Sequence, residues 1–547
     1  MKKYYKIIIL ILLGFLTGGC ASKIENKKEE PSVLTTSKQY DENYGAYDPG
    51  DDLNDNPMIQ LGIDQLNIKI DYQILGTSYE DYINKIRLAL SGADELPDII
   101  PVYDSGLLAE MIDSGQVKEI TEILESEMPE RLKPIYNRYN ETFLPVERDG
   151  KIYGMAISPA LAETEVLFIR QDWLDKLNLK APTNIEEFET VIKEFSTQDP
   201  DANGQDDTYG FSYSGNGIYS TGWLGDPAML FSSMSGKFIP GNWEETQDGK
   251  LMYGSLHSGN KKALKKIRDW HQKGWMIPDA ALINDWAALE QFTEGKAGMV
   301  VGRASYILDA QGVNKIDPTA EVRAYPVIKQ DNGELTYQRS EVNDGWFLFN
   351  KDFEDFEVFF EYYDWLYDIA FGTGNFLYGY LENFDYDVVE NQVVFEPQKF
   401  LPVKETPVFN PSKAIFTKNA PEIDSMQPFV DVLNGKEPET AMEVKAQVSM
   451  NESPELVKTY QIAFDTRASL IENKFKGPQT VTMRKKWYKL QLIEKKAYTD
   501  IIYGVAPLSA FDDFVETWYA EGGEEITKEV NQWYQSVNNE MLENLEE

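Results

Sequence analysis

Apolar residues recur along most of this chain with one of two periods. Alternation from Ile68 to Leu75 predicts a strand. From Tyr79 to Leu90, Tyr82, Ile83, Ile86 and Leu90 fall on one helical face. Asn56-Pro57 reads as an N-cap and first-turn proline for a helix running to about Leu66. Pro97 to Val102 reads as a short buried strand, Gly150 to Gly154 as a turn into a strand, and Val166 to Ile169 as a second apolar strand. Thr183 with Glu186 reads as a capping box ahead of a helix burying Ile185, Phe188, Val191, Ile192 and Phe195. A further helix is predicted from Lys261 to Lys273, closed by Gly274. Trp173, Trp270 and the aromatic run Phe359 to Leu366 sit at helical spacing and are assigned to core packing. Repeated strand–helix units with apolar strands imply an α/β fold built on mainly parallel sheet, with helices on both faces.

Composition adds bounds to that picture. At 547 residues the chain exceeds one compact core, so two or three domains are expected. Its 52 basic and 91 acidic residues leave a net charge of −39, which repels phosphate backbones and excludes nucleic acid as the expected partner. At 42% hydrophobic and 13% aromatic, the composition is that of a folded body and not an acidic disordered tail. Lys2, Lys3 and Lys6 precede an apolar run from Ile7 to Leu16, too short to span a bilayer, and then Thr17-Gly18-Gly19-Cys20. This layout resembles a bacterial lipoprotein signal, which implies that Cys20, the sole cysteine, is acylated and anchors the chain to the membrane. One departure is Thr17, where such signals carry leucine; Leu16 stands one residue earlier. Polar residues from Ser22 to Glu30 read as a tether.

One loop carries metal-like spacing. Asp199, Asp201, Asn203, Gln205 and Asp207 place oxygens on alternate positions, with Gly204 at the sixth, the arrangement of a calcium loop. Side-chain oxygens are expected from Asp199, Asp201, Asn203 and Asp207, and a backbone carbonyl from Gln205. The twelfth position, glutamate in an EF-hand, is Gly210. Tyr209-Gly210-Phe211 leads into a strand and not a second helix, so the ion is expected to pin the loop and not to switch it.

Several phrases in order carry a family likeness. They are Ser91-Gly92-Ala93-Asp94-Glu95-Leu96-Pro97-Asp98, Arg170-Gln171-Asp172-Trp173-Leu174-Asp175-Lys176-Leu177, the loop ending Asp207-Thr208-Tyr209-Gly210, Asn242-Trp243, Gly274-Trp275-Met276-Ile277-Pro278-Asp279, and Phe292-Thr293-Glu294-Gly295-Lys296-Ala297-Gly298-Met299. With them the chain resembles the family 1 extracellular solute-binding proteins of ABC importers, in the branch that includes alginate-oligosaccharide binding proteins. The resemblance implies a two-lobed periplasmic-binding-protein-like fold, a hinge, an oligosaccharide in the interlobe cleft, and delivery to permease subunits without chemistry. The expected organisation is a signal peptide at 1–19, a tether at 20–38, one lobe from 39–158 with 303–350, and a second from 159–302 with 351–547 carrying the loop at 199–208. A monomer is expected. In related proteins a glutamate follows the last loop aspartate; that position is Thr208 here, leaving Thr208, Asp206 or water to complete the calcium shell.

A sugar site needs flat apolar faces and planar polar groups. Trp223, in the loop after Ser220-Thr221-Gly222, meets the first need. Asp344-Gly345-Trp346 resembles the segment that re-crosses the hinge, which implies ligand contacts from Asp344 and Trp346. Arg303 ends a strand that runs into the cleft in family members. Asp104 follows the Pro97 to Val102 strand at the end where α/β sheets bind ligands. Glu382 matches a family glutamate, although Asn383 replaces the glycine that usually follows it. His257 and His271 are isolated and require no functional reading. Three rivals stand beside the sugar reading: the same fold holding a peptide or other non-sugar solute, a secreted glycosidase with two carboxylates, and a calcium-dependent adhesin. No Gly-x-Ser-x-Gly, phosphate loop or His/Cys cluster supports an enzyme. A single calcium loop within alternating βα units is not the repeated, β-rich pattern of an adhesin.

Overall fold

A computed structural model describes residues 30–39, 52–92, 94–160, 163–217, 219–330, 332–334, 337–338, 344–372, 376, 378–382, 384, 386–390, 392–395, 414–418, 420–424 and 426–546. The expected signal peptide, the first part of the tether and Cys20 lie outside these residues. Among the described residues no helix is long and apolar enough to cross a membrane.

Two sheets organise the chain. The larger has the order Ile68–Gly76, Ser32–Gln39, Ile99–Val102, Trp346–Phe349, Met155–Ala156. Its first three strands are parallel; Trp346–Phe349 runs antiparallel to both of its neighbours. The smaller sheet, Met299–Arg303, Glu165–Arg170 and Val322–Tyr325, is antiparallel throughout, so the expectation of mainly parallel sheet holds only for the first. An apolar run reports that a strand is buried and carries no information about its direction.

Ser32–Gln39 corrects the tether boundary at 38. It pairs along its length with Ile68–Gly76, burying Leu34, while Thr36 Oγ1 donates to the Ile99 carbonyl at 2.9 Å and Ser37 Oγ meets Tyr82 Oη at 2.9 Å. Its hydroxyl-rich sequence looks like a linker because partners distant in sequence satisfy its polar groups.

One core draws on residues between Leu34 and Ile157 and between Trp346 and Phe416; Phe347 stacks on Phe416 at 5.0 Å. The second body has apolar clusters on both faces of the small sheet, one taking Leu167, Ile169, Met299 and Val301, the other Val166, Phe168 and Val300. Among the described residues the chain therefore passes from one body to the other between Ile157 and Val166, between Ile328 and Trp346, and between Phe416 and Met426. This redraws the expected division. Residues 304–328, with strand Val322–Tyr325, pack in the second body, and the helix Phe356–Phe371 packs in the first through Phe359, Tyr363 and Leu366. Trp173 and Trp270 are buried in the second core as expected. The helix Ile185–Thr197 is capped by Asn184, whose side chain accepts from Glu187 N, one residue beyond the expected Thr183–Glu186 box.

Candidate ligand site at the crossings

The three crossings converge. Ile157 N donates to Gly345 O at 2.7 Å and Asp344 N to Ile157 O at 3.1 Å, tying the first crossing to the second. Glu422 N donates to Ser158 Oγ at 2.8 Å, tying the first to the third. Gly345 has φ 98°, and a Cβ there would lie 2.7 Å from the Tyr103 ring and the Val102 carbonyl, so this approach requires glycine.

Carboxylates gather at this junction. Glu163 accepts from Ser305 N at 3.0 Å and from Tyr460 Oη at 2.8 Å. Glu422 borders a crevice of about 160 Å³ with Asp424, Gln427 and Thr440. Although it still reaches water, desolvation there, together with the charges of Glu163 and Asp344, pushes its carboxyl up to about 7. Asp344 also acts on Tyr103, whose phenol is raised chiefly by burial.

An aromatic platform lies beside these acids on the second body. Trp223, Trp286 and Tyr306 stand mutually near edge-on, with centroids 5.9 Å (Trp223–Trp286), 5.8 Å (Trp223–Tyr306) and 5.5 Å (Trp286–Tyr306) apart. Trp223 Nε1 donates to Asp285 Oδ2 at 2.8 Å, which fixes its ring, while Trp286 stays 48% exposed. Arg303 N donates to Trp223 O at 2.9 Å and its Nε to Gly222 O at 3.2 Å. Burial raises the Tyr306 phenol, with Arg303 opposing and Glu163 adding to the shift, so platform and acids share one locale.

Of the six expected ligand residues, the structure brings Trp223, Arg303 and Asp344 to this junction. Asp104 lies at its edge, next to Tyr103, where its Oδ1 caps the helix Ser105–Asp113 by accepting from Leu107 N at 2.7 Å. Across from it, Gln479 of the second body donates to Ser105 Oγ at 2.9 Å. Trp346 is not placed as a wall. It is buried in the first core, and its Nε1 donates to Thr142 O at 2.8 Å. Glu382 is exposed and bridged through its backbone to Tyr386. Sequence reasoning missed Trp286, Tyr306, Glu163 and Glu422. The available signal was the Asp285-Trp286 pair at the start of the helix Asp285–Thr293, which periodicity alone assigns to packing.

The acidic loop folds around its own oxygens. Asn203 Nδ2 donates to Asp201 Oδ2 at 2.8 Å and Asp207 Oδ1 at 3.1 Å, while Asp199 accepts from Asn203 N and Gly204 N, each at 3.1 Å. Asp199, hydrogen-bonded to Asp201, is held below the ordinary carboxylate range; Asp201 is pushed up by the packing around it and by Asp199. Crowded carboxylates and an amide fit a hard cation with oxygen ligands. Thr208 does not fit the shell: it is buried and donates its hydroxyl to Phe195 O at 2.8 Å. The Gln205 amide N–H donates to Asn203 Oδ1 at 2.7 Å, closing the turn. Among the described residues no group of three or more His, Cys, Asp or Glu is arranged as a metal cluster. Gly210 stands at the twelfth position because a Cβ there would lie 2.3 Å from Ile192 Cα, against the helix Ile185–Thr197. Gly210→Ala is expected to cost about 1–3 kcal/mol of stability by overpacking, measured by urea unfolding; a neutral result would show that the helix yields.

A family profile for bacterial extracellular solute-binding proteins matches residues 58–440, more than half of the chain. The polygalacturonan/rhamnogalacturonan-binding protein YtcQ of Bacillus subtilis (strain 168) is 28% identical over 277 residues, 50% of this chain and 52% of that protein. The fructooligosaccharide ABC transporter substrate-binding protein FusA of Streptococcus pneumoniae serotype 4 (strain ATCC BAA-334 / TIGR4) is 26% identical over 249 residues, 43% of this chain and 44% of that protein. The chain thus spans about half the length of the curated relatives it matches. In structure, FusA in complex with kestose superposes with a TM-score of 0.65 at 16% identity, covering 93% of this chain and 100% of that one. The alginate-binding protein AlgQ2 without calcium ion gives 0.63 at 16% identity, covering 93% and 98%. These neighbours share the two-lobed α/β fold built here around two bodies and three crossings. The chain belongs to the bacterial extracellular solute-binding protein family.

Proposed function

We propose that this protein captures an uncharged oligosaccharide between its two bodies and delivers it to the permease of an ABC importer, without covalent chemistry. The observation that carries this reading is the Trp223–Trp286–Tyr306 platform standing beside the carboxylates of the crossings. Rings offer flat faces to the C–H side of a sugar, and carboxylates accept from its hydroxyls. Glu163, Asp344, Glu422 and Asp424 outnumber the nearby cations Arg303, Lys418 and Lys445. A polyuronate, of the kind named for YtcQ, would meet like charge here, whereas a fructan such as the kestose held by FusA would not. The lipoprotein-like N-terminus supports anchoring through Cys20, with the protein acting as a monomer outside the cell.

Calorimetry against neutral oligosaccharides, galacturonides and peptides tests the reading. Micromolar binding of a neutral sugar, about −8 kcal/mol, is expected, with a smaller radius of gyration in scattering as the bodies close. Tight peptide binding with no sugar bound across the panel would overturn it.

The acidic loop supports a structural calcium held by Asp199, Asp201, Asn203 and Asp207 with the Gln205 carbonyl. The ion would neutralise the crowded carboxylates and pin the chain between the helix Ile185–Thr197 and the small sheet. Chelation is expected to lower the melting temperature and leave sugar affinity in the folded protein nearly unchanged; loss of binding without unfolding would refute the pinning role.

A further inference from the structure

Behind the aromatic platform lie two carboxyl groups that the binding reading does not use. Glu165, on the strand Glu165–Arg170, and Asp226, ahead of the helix Ala228–Ser235, are 4% and 0% exposed. Asp226 is saturated with donors: Thr221 N at 2.9 Å and Gly222 N at 2.6 Å on Oδ2, and Ala228 N at 2.6 Å on Oδ1. Glu165 sits within hydrogen-bonding range of Asp226, and its Oε1 is buried without a donor. Three amide donors stabilise a carboxylate on Asp226. A second bare anion beside it would be unpaired in a low-dielectric interior, so the neutral form belongs on Glu165. Arg303, whose backbone pairs with Glu165 across the sheet, is the cation acting on Glu165, and it turns its Nε to Gly222 O. Burial and then the Asp226 charge raise the Glu165 carboxyl well above its ordinary range, in keeping with that assignment.

We propose that Glu165 and Asp226 share one proton and act as positioning residues, the pair clamping the loop Thr221–Gly222–Trp223 so that the Trp223 ring is held in the ligand site. Glu165 O–H donates to Asp226, and Asp226 in turn holds the amides of Thr221 and Gly222 immediately before Trp223. The value of this clamp to ligand binding rests on the sugar reading above; its existence does not.

The clamp has a pH signature that ordinary packing lacks. When the loop opens, both carboxyls reach water and ionise in their usual range, so the closed loop holds one proton more than the open one. Protection of the loop is therefore complete below the ordinary carboxylate range and falls about tenfold per pH unit up to the raised pKa of the pair. The test is hydrogen exchange on the unliganded full chain, following the peptide that covers 219–228 between about pH 5 and 8, corrected for intrinsic rates. Wild type is expected to show that slope. Glu165→Gln, which keeps a donor but cannot ionise, is expected to be protected and flat with pH. Asp226→Asn, which removes the neighbouring anion but leaves Glu165 buried, is expected to keep a slope that ends at a lower pH than in wild type. Glu165→Ala is expected to be poorly protected throughout. Equal slopes in wild type and Glu165→Gln, or equal protection in Glu165→Gln and Glu165→Ala, would overturn the proposal whether or not any sugar binds. A variant that fails to fold leaves the wild-type slope against the other variant as the deciding comparison.

Discussion

Replacing Trp223 by alanine is expected to weaken binding of a neutral trisaccharide such as kestose about a hundredfold, a loss of roughly 3 kcal/mol. The ring is half-buried, held by Asp285 and by the edges of Trp286 and Tyr306, so a sugar meets a preorganised face. Trp286→Ala should cost about tenfold, since that ring is 48% exposed and less constrained. Stability should barely move in Trp286→Ala, because little apolar area leaves the core. Trp346→Ala gives the opposite pattern: a core ring is lost, at about 3–5 kcal/mol of stability, with affinity of the folded fraction near wild type. Calorimetry and urea unfolding on the three variants decide the matter. Unchanged affinity in Trp223→Ala would remove the platform from the site, and loss of affinity in a folded Trp346→Ala would restore the hinge tryptophan to it.

Glu494→Gln is expected to stabilise the protein at alkaline pH by up to about 3 kcal/mol while doing nothing in acid. Glu494 is 0% exposed on the helix Val481–Ile502. Its carboxyl accepts from Ser255 Oγ at 2.7 Å and Tyr253 Oη at 2.9 Å, within a wall of aromatics where Tyr253 stacks on Trp518 at 5.3 Å. Burial pushes it from 4.5 to about 7, against the weaker pull of the two hydroxyls. A folded-state pKa above the unfolded one means that the protonated group's contribution is fully present below about 4.5 and is lost as pH rises through about 7. Glutamine keeps the carbonyl acceptor and never ionises, so it escapes that loss; the hydroxyls of Tyr253 and Ser255 can rotate to meet its amide. Unfolding free energies at about pH 5 and 9 should show the two proteins converging in acid and diverging in base. A difference independent of pH would show that Glu494 contributes by shape alone.

Much of the local structure was legible. Asn56-Pro57 opens the helix Pro57–Leu66, and Tyr79–Leu90 is helical with Tyr82 and Ile86 inward, because caps, proline geometry and the 3.6-residue period act within one or two turns. The helix Asn260–Gln272 stops at Gly274, which adopts φ 73° as a closing glycine does. The acidic loop was visible for the same reason: its oxygens lie within nine consecutive residues. The missing closing glutamate was visible too, but its cause was not, since Ile192 blocks Gly210 from an element eighteen residues upstream.

What the sequence by itself determined about this protein is its strongly periodic elements, its acidic balance and its family. Tertiary structure alone decided which elements share a body. Periodicity assigns Phe359 to Leu366 to core packing and is silent on which core receives it, while the hydroxyl-rich Ser32–Gln39 reads as tether; where these segments and Val322–Tyr325 pack set the boundaries. The binding locale was decided in the same way. Ser158, Glu163, Asp344 and Glu422 are scattered over nearly half the chain, each an ordinary polar residue in its own segment. They act together because three crossings return to one place. Trp346 was misplaced for the converse reason: its neighbours in sequence lie at the crossing, while its own ring points into the sheet's core. Local chemistry is set by a few neighbouring bonds, whereas convergence is set by the packing free energy of the whole chain.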